Sequence, residues 1–428
     1  VRILFISGEF PPDIGGVGDY TRRLAHALVD RGHNVAVLTG RYGLIELRAS
    51  DKPAGAADMS QLSYEAEELE TRNPQLETRN SKLETWMLRP ITAAIKAFRP
   101  DIIHLQYQTG AYGMHPAVLL LPARLRRLRR RVPVVVTAHD LRLPYLFPKA
   151  DALRTWLTRR LLRDAAATIL TNDDDARRLA GLASLSRELY SPRRSPKAQH
   201  IVIPIGSNIE PAAPPAYDRT ACRAAVGAGP DSLVVAYFGL LSRTKGVLEL
   251  LDVLAGLPPR FRLLIVGGSA PLPDDRRFAV EVEQTIAEHG LQERVALTGP
   301  LPEQAVSAHL LASDIAALPF ADGASYRRGS LLAVLAHGLP AITTLPAAPL
   351  DPPLLDGYHV LLVPPADVAA LRAAIERLAG DHALRATLPG GARELAARFS
   401  WPGIAERHEN VYHDVLSLSQ LKTDADYT

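Results

Sequence analysis

Two short stretches place cations where a helix begins. In "DGASYRRGSLLAVLAHGLP" (322–340), Arg327 and Arg328 stand before Gly329 and Ser330, and an apolar run from Leu331 to His337 follows. Gly338 and Pro340 stop that run, so the spacing predicts a short helix with two guanidiniums and a hydroxyl at its N-terminus. In "YFGLLSRTKGV" (237–247), Gly239, Arg243, Lys245 and Gly246 lie between a strand-like run and a helical one. Unpaired N–H groups and the helix dipole attract anions at such ends. Either stretch alone reads equally well as a solvated loop. Together they favour a phosphate or diphosphate site.

A third candidate follows the first strand. "GEFPPDIGGVGDY" (8–20) has Gly15, Gly16 and Gly18, which let a backbone approach a phosphate or a sugar closely. A tight turn accounts for the same glycines. His139 and Asp140 end the apolar run "VPVVVTA", where a polar pair is either a site or a cap on the sheet. His104, inside "DIIHLQY", reads as a core histidine. Asp173 to Asp175 look like a metal triad, but they follow Asn172 and open a helix. Carboxylates suit the dipole there, so no metal and no other cofactor is expected.

The elements around these residues alternate. "RILFIS", "NVAVLT", "DIIHLQY", "VPVVVTAH" and "ATILTN" are apolar strand runs, and Leu24, Ala25, Leu28 and Val29 have helical spacing between the first two. Runs this apolar predict a parallel sheet covered on both faces. The pattern restarts at "SLVVAYFG" and continues through "FRLLIVGG", "RVALTG", "DIAALPF" and "PAITT". The fold class expected is therefore α/β, with two doubly wound, Rossmann-like domains facing across a cleft. The boundaries expected are 1–204, 205–400 and a helical tail 401–428 that crosses back to the first domain. "LETRNPQLETRNSKLETW" (69–86) repeats every seven residues with one apolar position per repeat, too few for a coiled coil. It predicts a surface insertion over 50–85 with no catalytic role.

Composition excludes several classes. One cysteine, Cys222, rules out a disulfide framework and a thiolate metal site. No apolar run approaches the ~20 residues that span a bilayer. The opening strand does not resemble a signal peptide, so a cytoplasmic protein is expected, at the inner face of the membrane if it meets one. Net charge is +3, yet residues 1–200 hold 31 Lys and Arg against 21 Asp and Glu, and the remainder 18 against 25. The excess sits in "ARLRRLRRRV" (123–132) and "WLTRRLLRDA" (156–165). Interleaved Leu and Arg suit an anionic membrane surface better than nucleic acid, for which no recognition module is present. Two solvated helix faces explain them more simply.

In order along the chain, "EFPPDIGGVGDYTRRLAHALVDRGHNVAVLT", "VIPIGSN", "SRTKGVLELLDVL", "VALTGPLPEQAVSAHLLASDIAALPF", "LLVPPADVAALRAAIERL" and "FSWPGIAERH" resemble segments of the family 4 glycosyltransferases, which have the GT-B fold. The resemblance implies transfer of a sugar from a nucleotide-diphosphate sugar to a glycan or lipid-linked acceptor, with retention and without metal. It implies a donor site in the second domain and an acceptor site in the basic first one. Gly15 and Gly16 would approach the donor, His139 would contact the sugar, and Lys245 would neutralise the leaving diphosphate. Arg243, Gly239, Arg327, Arg328, Gly329 and Ser330 would complete the phosphate cradle. Three positions depart from the family pattern. Leu240 stands where an arginine is usual, and Ser325 and Ala333 replace two glutamates. A binding or scaffold protein of the same fold that has lost transfer is the alternative left open.

Overall fold

The computed structural model describes residues 1–12, 15–40, 42–48, 88–113, 115–128, 131–141, 151–184, 200–269 and 273–425. The 50–85 insertion, with its seven-residue repeat, lies outside them. The chain divides into two units, Val1–Ile205 with Trp401–Thr428, and Gly206–Ser400. Each is a doubly wound α/β sheet.

In the first unit β1 (Arg2–Ser7), β2 (Asn34–Thr39), β4 (Ile102–Tyr107), β5 (Val134–Ala138), β6 (Ala167–Leu170) and β7 (His200–Val202) are parallel. The order is β3-β2-β1-β4-β5-β6-β7, with β3 (Gly43–Leu47) antiparallel to β2 at one edge. That edge strand carries no strong sequence signal because its residues are only half-buried, so it lacks the continuous apolar run of the others. Side chains of β1 alternate between two cores. Leu4 and Ile6 face the helix Leu88–Phe98, while Ile3 and Phe5 face the helices Gly16–Asp30 and Trp401–Ala425.

The second unit holds β8 (Leu233–Phe238), β9 (Phe261–Val266), β10 (Val295–Leu297), β11 (Ile315–Leu318), β12 (Ala341–Thr344) and β13 (Leu361–Val363). All pairs are parallel, in the order β10-β9-β8-β11-β12-β13. The order reverses between β8 and β11, and a crevice opens beyond the carboxyl ends of the strands at such a switch point. The loops after these two strands are the two cationic stretches. They are fastened to each other, with the Ala321 N–H donating to the Thr244 carbonyl at 3.0 Å. Gly246 makes the junction possible. Its φ is +67°, and a Cβ there would lie 2.0 Å from the Pro319 carbonyl oxygen. Thr343 and Thr344, buried in β12, donate hydroxyls to the carbonyls of Leu318 and Phe320 and so fix the second loop from below.

The C-terminal helix is fixed to the first unit by a buried polar network. His408 Nδ1–H donates to the Ile404 carbonyl at 2.8 Å, which leaves Nε2 to accept from the Tyr20 hydroxyl at 3.2 Å. His104, on β4, bonds the hydroxyls of Tyr412 and Thr137 at 2.6 and 2.7 Å and is fully buried, a core histidine. Burial lowers the His408 pKa to about 4 and holds His104 well below its ordinary value.

Two outcomes are expected. Gly246→Ala should lose about 2–3 kcal/mol of stability in urea unfolding, since it adds both a clash and a strained φ. Acid should destabilise the first unit between pH 6.5 and about 4. There the unfolded His408 takes a proton that the folded one refuses, which costs roughly 1.4 kcal/mol per pH unit. Urea titrations of His408→Gln across that window should show a pH slope shallower by about one proton; an unchanged slope would remove His408 from the account.

Candidate functional site

Gly239 and Lys245 of one loop meet Ser330, distant in sequence, at the switch point of the second unit. Gly239 has φ +136°, and a Cβ on it would lie 3.0 Å from Lys245 Nζ, 3.6 Å from Ser330 Cβ and 3.8 Å from Ser330 Oγ. Only a glycine leaves that space open. Beneath it Gly267 is equally constrained, since a Cβ there would lie 2.4 Å from the Gly239 carbonyl oxygen. The short 3₁₀ turn Arg243–Lys245 aims the lysine, and the helix Gly329–His337 brings Ser330. The N–H groups of Gly329 and Ser330, in that helix's first turn, have no acceptor among the described residues.

The electrostatics suit an anion. Burial pulls the Lys245 pKa down to about 8, the Arg328 charge pushes the same way, and Asp275 opposes them. Arg328, the residue before the helix, is itself lowered by burial, with Asp322 acting against the shift. Its guanidinium forms an ion pair with Asp322 and lies 4.2 Å from the centre of the Phe320 ring. Arg327 is half-buried beside it, its N–H donating to Ser325 Oγ at 3.3 Å. Two cations partly withdrawn from water beside open helix amides are stabilised by a bound anion.

Arg243 is not brought into this group. Its guanidinium bonds Glu281 Oε1 at 3.0 Å and lies 5.1 Å from the Phe278 ring centre, with most of the side chain exposed. The departures from the family pattern have structural counterparts. Leu240 is half-exposed, and its carbonyl accepts the Tyr237 hydroxyl at 3.1 Å. Ala333 is fully buried, and its carbonyl accepts from His337 Nδ1 at 2.7 Å. No carboxylate stands at position 325 or 333.

The first unit gathers its candidates at the carboxyl edge of its own sheet. His139 follows β5, its N–H donating to the Tyr107 carbonyl at 2.9 Å. Its Nε2 bonds Gln106 Oε1 at 2.8 Å, and its ring meets Tyr20 edge-on at 4.7 Å. Burial, reinforced by His408, lowers its pKa to about 3, so the ring is neutral at pH 7. With Nε2–H given to Gln106, Nδ1 remains a hydrogen-bond acceptor. Gly15 precedes the helix Gly16–Asp30 in extended conformation. A Cβ on it would lie 2.0 Å from Glu9 Oε2, whereas Gly16 has open space. Gly15 therefore makes room for a carboxylate at that helix N-terminus. Glu9 is the residue that sequence reasoning missed, and its only signal was an acid placed directly after β1. Asn172 caps the helix Asp173–Ser184 by accepting the Asp175 N–H at 2.8 Å, and its amide holds the Asp175 carboxylate. Among the described residues no three His, Cys, Asp or Glu side chains are grouped to hold a metal, and no helix is long and apolar enough to cross a membrane.

Known proteins share this construction. Residues 15–193 match the glycosyl transferase 4-like domain, and residues 232–381 match the glycosyl transferases group 1 domain. A D-inositol 3-phosphate glycosyltransferase of Xylanimonas cellulosilytica is 29% identical over 220 residues, which is 49% of this chain and 50% of that protein. The chain thus spans half the length of that relative. One of the same name from Nocardia farcinica is 26% identical over 409 residues, covering 92% of this chain and 83% of its own. The structure of HepE from Anabaena in complex with UDP and glucose superposes with a TM-score of 0.67 at 19% identity, over 96% of this chain and 99% of that one. Two Rossmann-like units, each matched by its own family, make the chain a member of the two-domain glycosyltransferases of the group 1 and 4-like families, with the GT-B fold.

Proposed function

We propose that the chain transfers a sugar from a nucleotide-diphosphate sugar to a glycan or lipid-linked acceptor, with the diphosphate held by the second unit. The observation that supports this most is the convergence of Lys245, Gly239 and Ser330 at a helix N-terminus beside Arg328. Relatives are named as glycosyltransferases, and a neighbour in fold is described with UDP and glucose.

In this proposal the bond from the anomeric carbon to the leaving phosphate oxygen breaks while the acceptor oxygen bonds to that carbon. The acceptor proton passes to the leaving phosphate, so no strong side-chain base is required, and the configuration is retained. Negative charge grows on the diphosphate as the bond breaks. Lys245, Arg328 and the amides of Gly329 and Ser330 stabilise that charge more than they stabilise the intact donor. His139, neutral, accepts a sugar hydroxyl at Nδ1 and is not the proton donor. No metal takes part, so chelators leave the rate unchanged. With alanine at 333, the ribose is held by backbone groups or by other side chains.

Titration with UDP, GDP, ADP and dTDP tests the first step, and failure of all four to bind at millimolar concentration would sink the proposal. Lys245→Ala should lower kcat/KM by about 10²–10³, the range for losing one group that stabilises a developing oxyanion. Arg243→Ala should stay within about threefold, because Glu281 already occupies that arginine. Affinity for the diphosphate should also depend on pH through Lys245, whose pKa is about 8 in the free protein. Below pH 8 the ammonium is charged and ready. Between pH 7 and 9 binding should weaken roughly tenfold, and calorimetry at pH 8.5 should detect uptake of roughly three-quarters of a proton. Lys245→Met should abolish both effects.

A further inference from the structure

We infer that Gln106 is a positioning residue that decides what the sugar must offer at His139: a hydroxyl, which donates a proton, and not a group that only accepts one. The inference rests on the proposed function, in which His139 meets the donor sugar, and adds the residue that sets the polarity of that contact. Gln106 lies in β4, paired with Ser7 of β1 on one side and Thr137 of β5 on the other. Its carbonyl accepts the buried Tyr112 hydroxyl at 2.8 Å, which fixes the backbone further. Alternation along β4 turns its side chain to the face of His104, where Ile102, Phe5 and Val135 form a core with the C-terminal helix. From there Gln106 Oε1 accepts from His139 Nε2 at 2.8 Å.

An amide oxygen only accepts, so this contact places the ring proton on Nε2 and leaves a lone pair on Nδ1. The neighbouring hydroxyls do not compete for the ring. Tyr20 meets it edge-on but donates to His408 Nε2, and the Thr137 hydroxyl bonds His104 Nε2. Burial lowers the ring's pKa to about 3, so Nδ1 gains no proton at pH 7. His139 is only partly buried, and its Nδ1 has no partner among the described residues. A sugar hydroxyl is bound there, whereas a carbonyl or carboxylate oxygen would set lone pair against lone pair. Gln106 itself is fully buried, and its Nε2 has no hydrogen-bond partner among the described residues. An apolar side chain of similar length would leave no such donor, so core packing does not explain the amide. Holding His139 in one tautomer does.

Nitrogen NMR spectra of the full chain, labelled at its histidines, test the first link. His139, assigned by its loss in His139→Asn, should show the Nε2–H form, and Gln106→Met should convert part of it to the Nδ1–H form. The same substitution should leave the urea midpoint unchanged or raise it, because it removes an unpaired amide. A lower midpoint would make Gln106 a structural residue and overturn the inference. Calorimetry tests the second link, with the glucose conjugate of whichever of UDP, GDP, ADP and dTDP binds, and with its monodeoxy forms. One deoxy form should bind the unaltered chain about 10–100-fold more weakly than the parent, the effect of leaving a site's acceptor unpaired. Gln106→Met should shrink that ratio to within about threefold and leave the affinity for the bare nucleoside diphosphate unchanged. An Nδ1–H form in the unaltered chain, equal affinity for every deoxy form, or discrimination indifferent to Gln106→Met would each overturn the inference. Failure of all four nucleoside diphosphates to bind would remove the proposed function as well, whereas binding that ignores Gln106 removes this inference alone.

Discussion

An ammonium group held out of water beside another cation is unfavourable, and the second unit is organised around keeping one there. Lowering Lys245 from its ordinary value to about 8 implies a cost on the order of 3 kcal/mol for the charged form at neutral pH. The free protein bears that cost as part of its folding. A diphosphate between Lys245, Arg328 and the amides of the helix Gly329–His337 would recover it. On the proposed function, such a site would be prepared before its ligand arrives, and preorganised charge makes such sites effective at the moment of bond cleavage.

Geometry at the strand ends is what permits this. Gly239 and Gly267 stack backbone on backbone, and Gly246 passes under Pro319 where no other residue fits. Those contacts bring the loops after β8 and β11 to one point. Buried Thr343 and Thr344 then hold the second loop from the neighbouring strand. Arg328 is steered on one side by Asp322 and supported on the other by Phe320. The arginine that the family pattern would place at position 240 is therefore not simply missing; a guanidinium reaches the region from the other loop.

Much of the fold was legible because its signals are local. Strands buried on both faces read as continuous apolar runs, as in "RILFIS" and "FRLLIV", and the glycine and proline after the helix Gly329–His337 mark its end. The edge strand β3 was illegible because half-buried residues carry no such run. At the site, Lys245, Ser330 and Gly239 were chosen for their residue types, but their meeting depends on sheet order, which no local spacing encodes. Arg243 shares its loop with Lys245, and residue type alone places both in the cradle. Its partner Glu281 is 38 residues away, so the sequence offered no reason to remove it. Glu9 carries no local signal because its proximity to Gly15 arises from the turn between them, where Gly15 is small enough to admit a carboxylate.

The position of the helix Trp401–Ala425 has a consequence for how the protein is made. Its Ile404, Ala405, Val411 and Tyr412 complete a core with Leu24, Leu28 and Phe5, so the first unit is assembled from two pieces of chain separated by the whole second unit. During synthesis the earlier piece emerges almost two hundred residues ahead of the helix that covers it. One face of its sheet waits, with Tyr20 and His104 lacking their partners His408 and Tyr412, until the second unit has been translated. Such a delay exposes apolar surface to aggregation and to chaperones. A ribosome that stops before residue 401 would release a finished second unit attached to an unfinished first one.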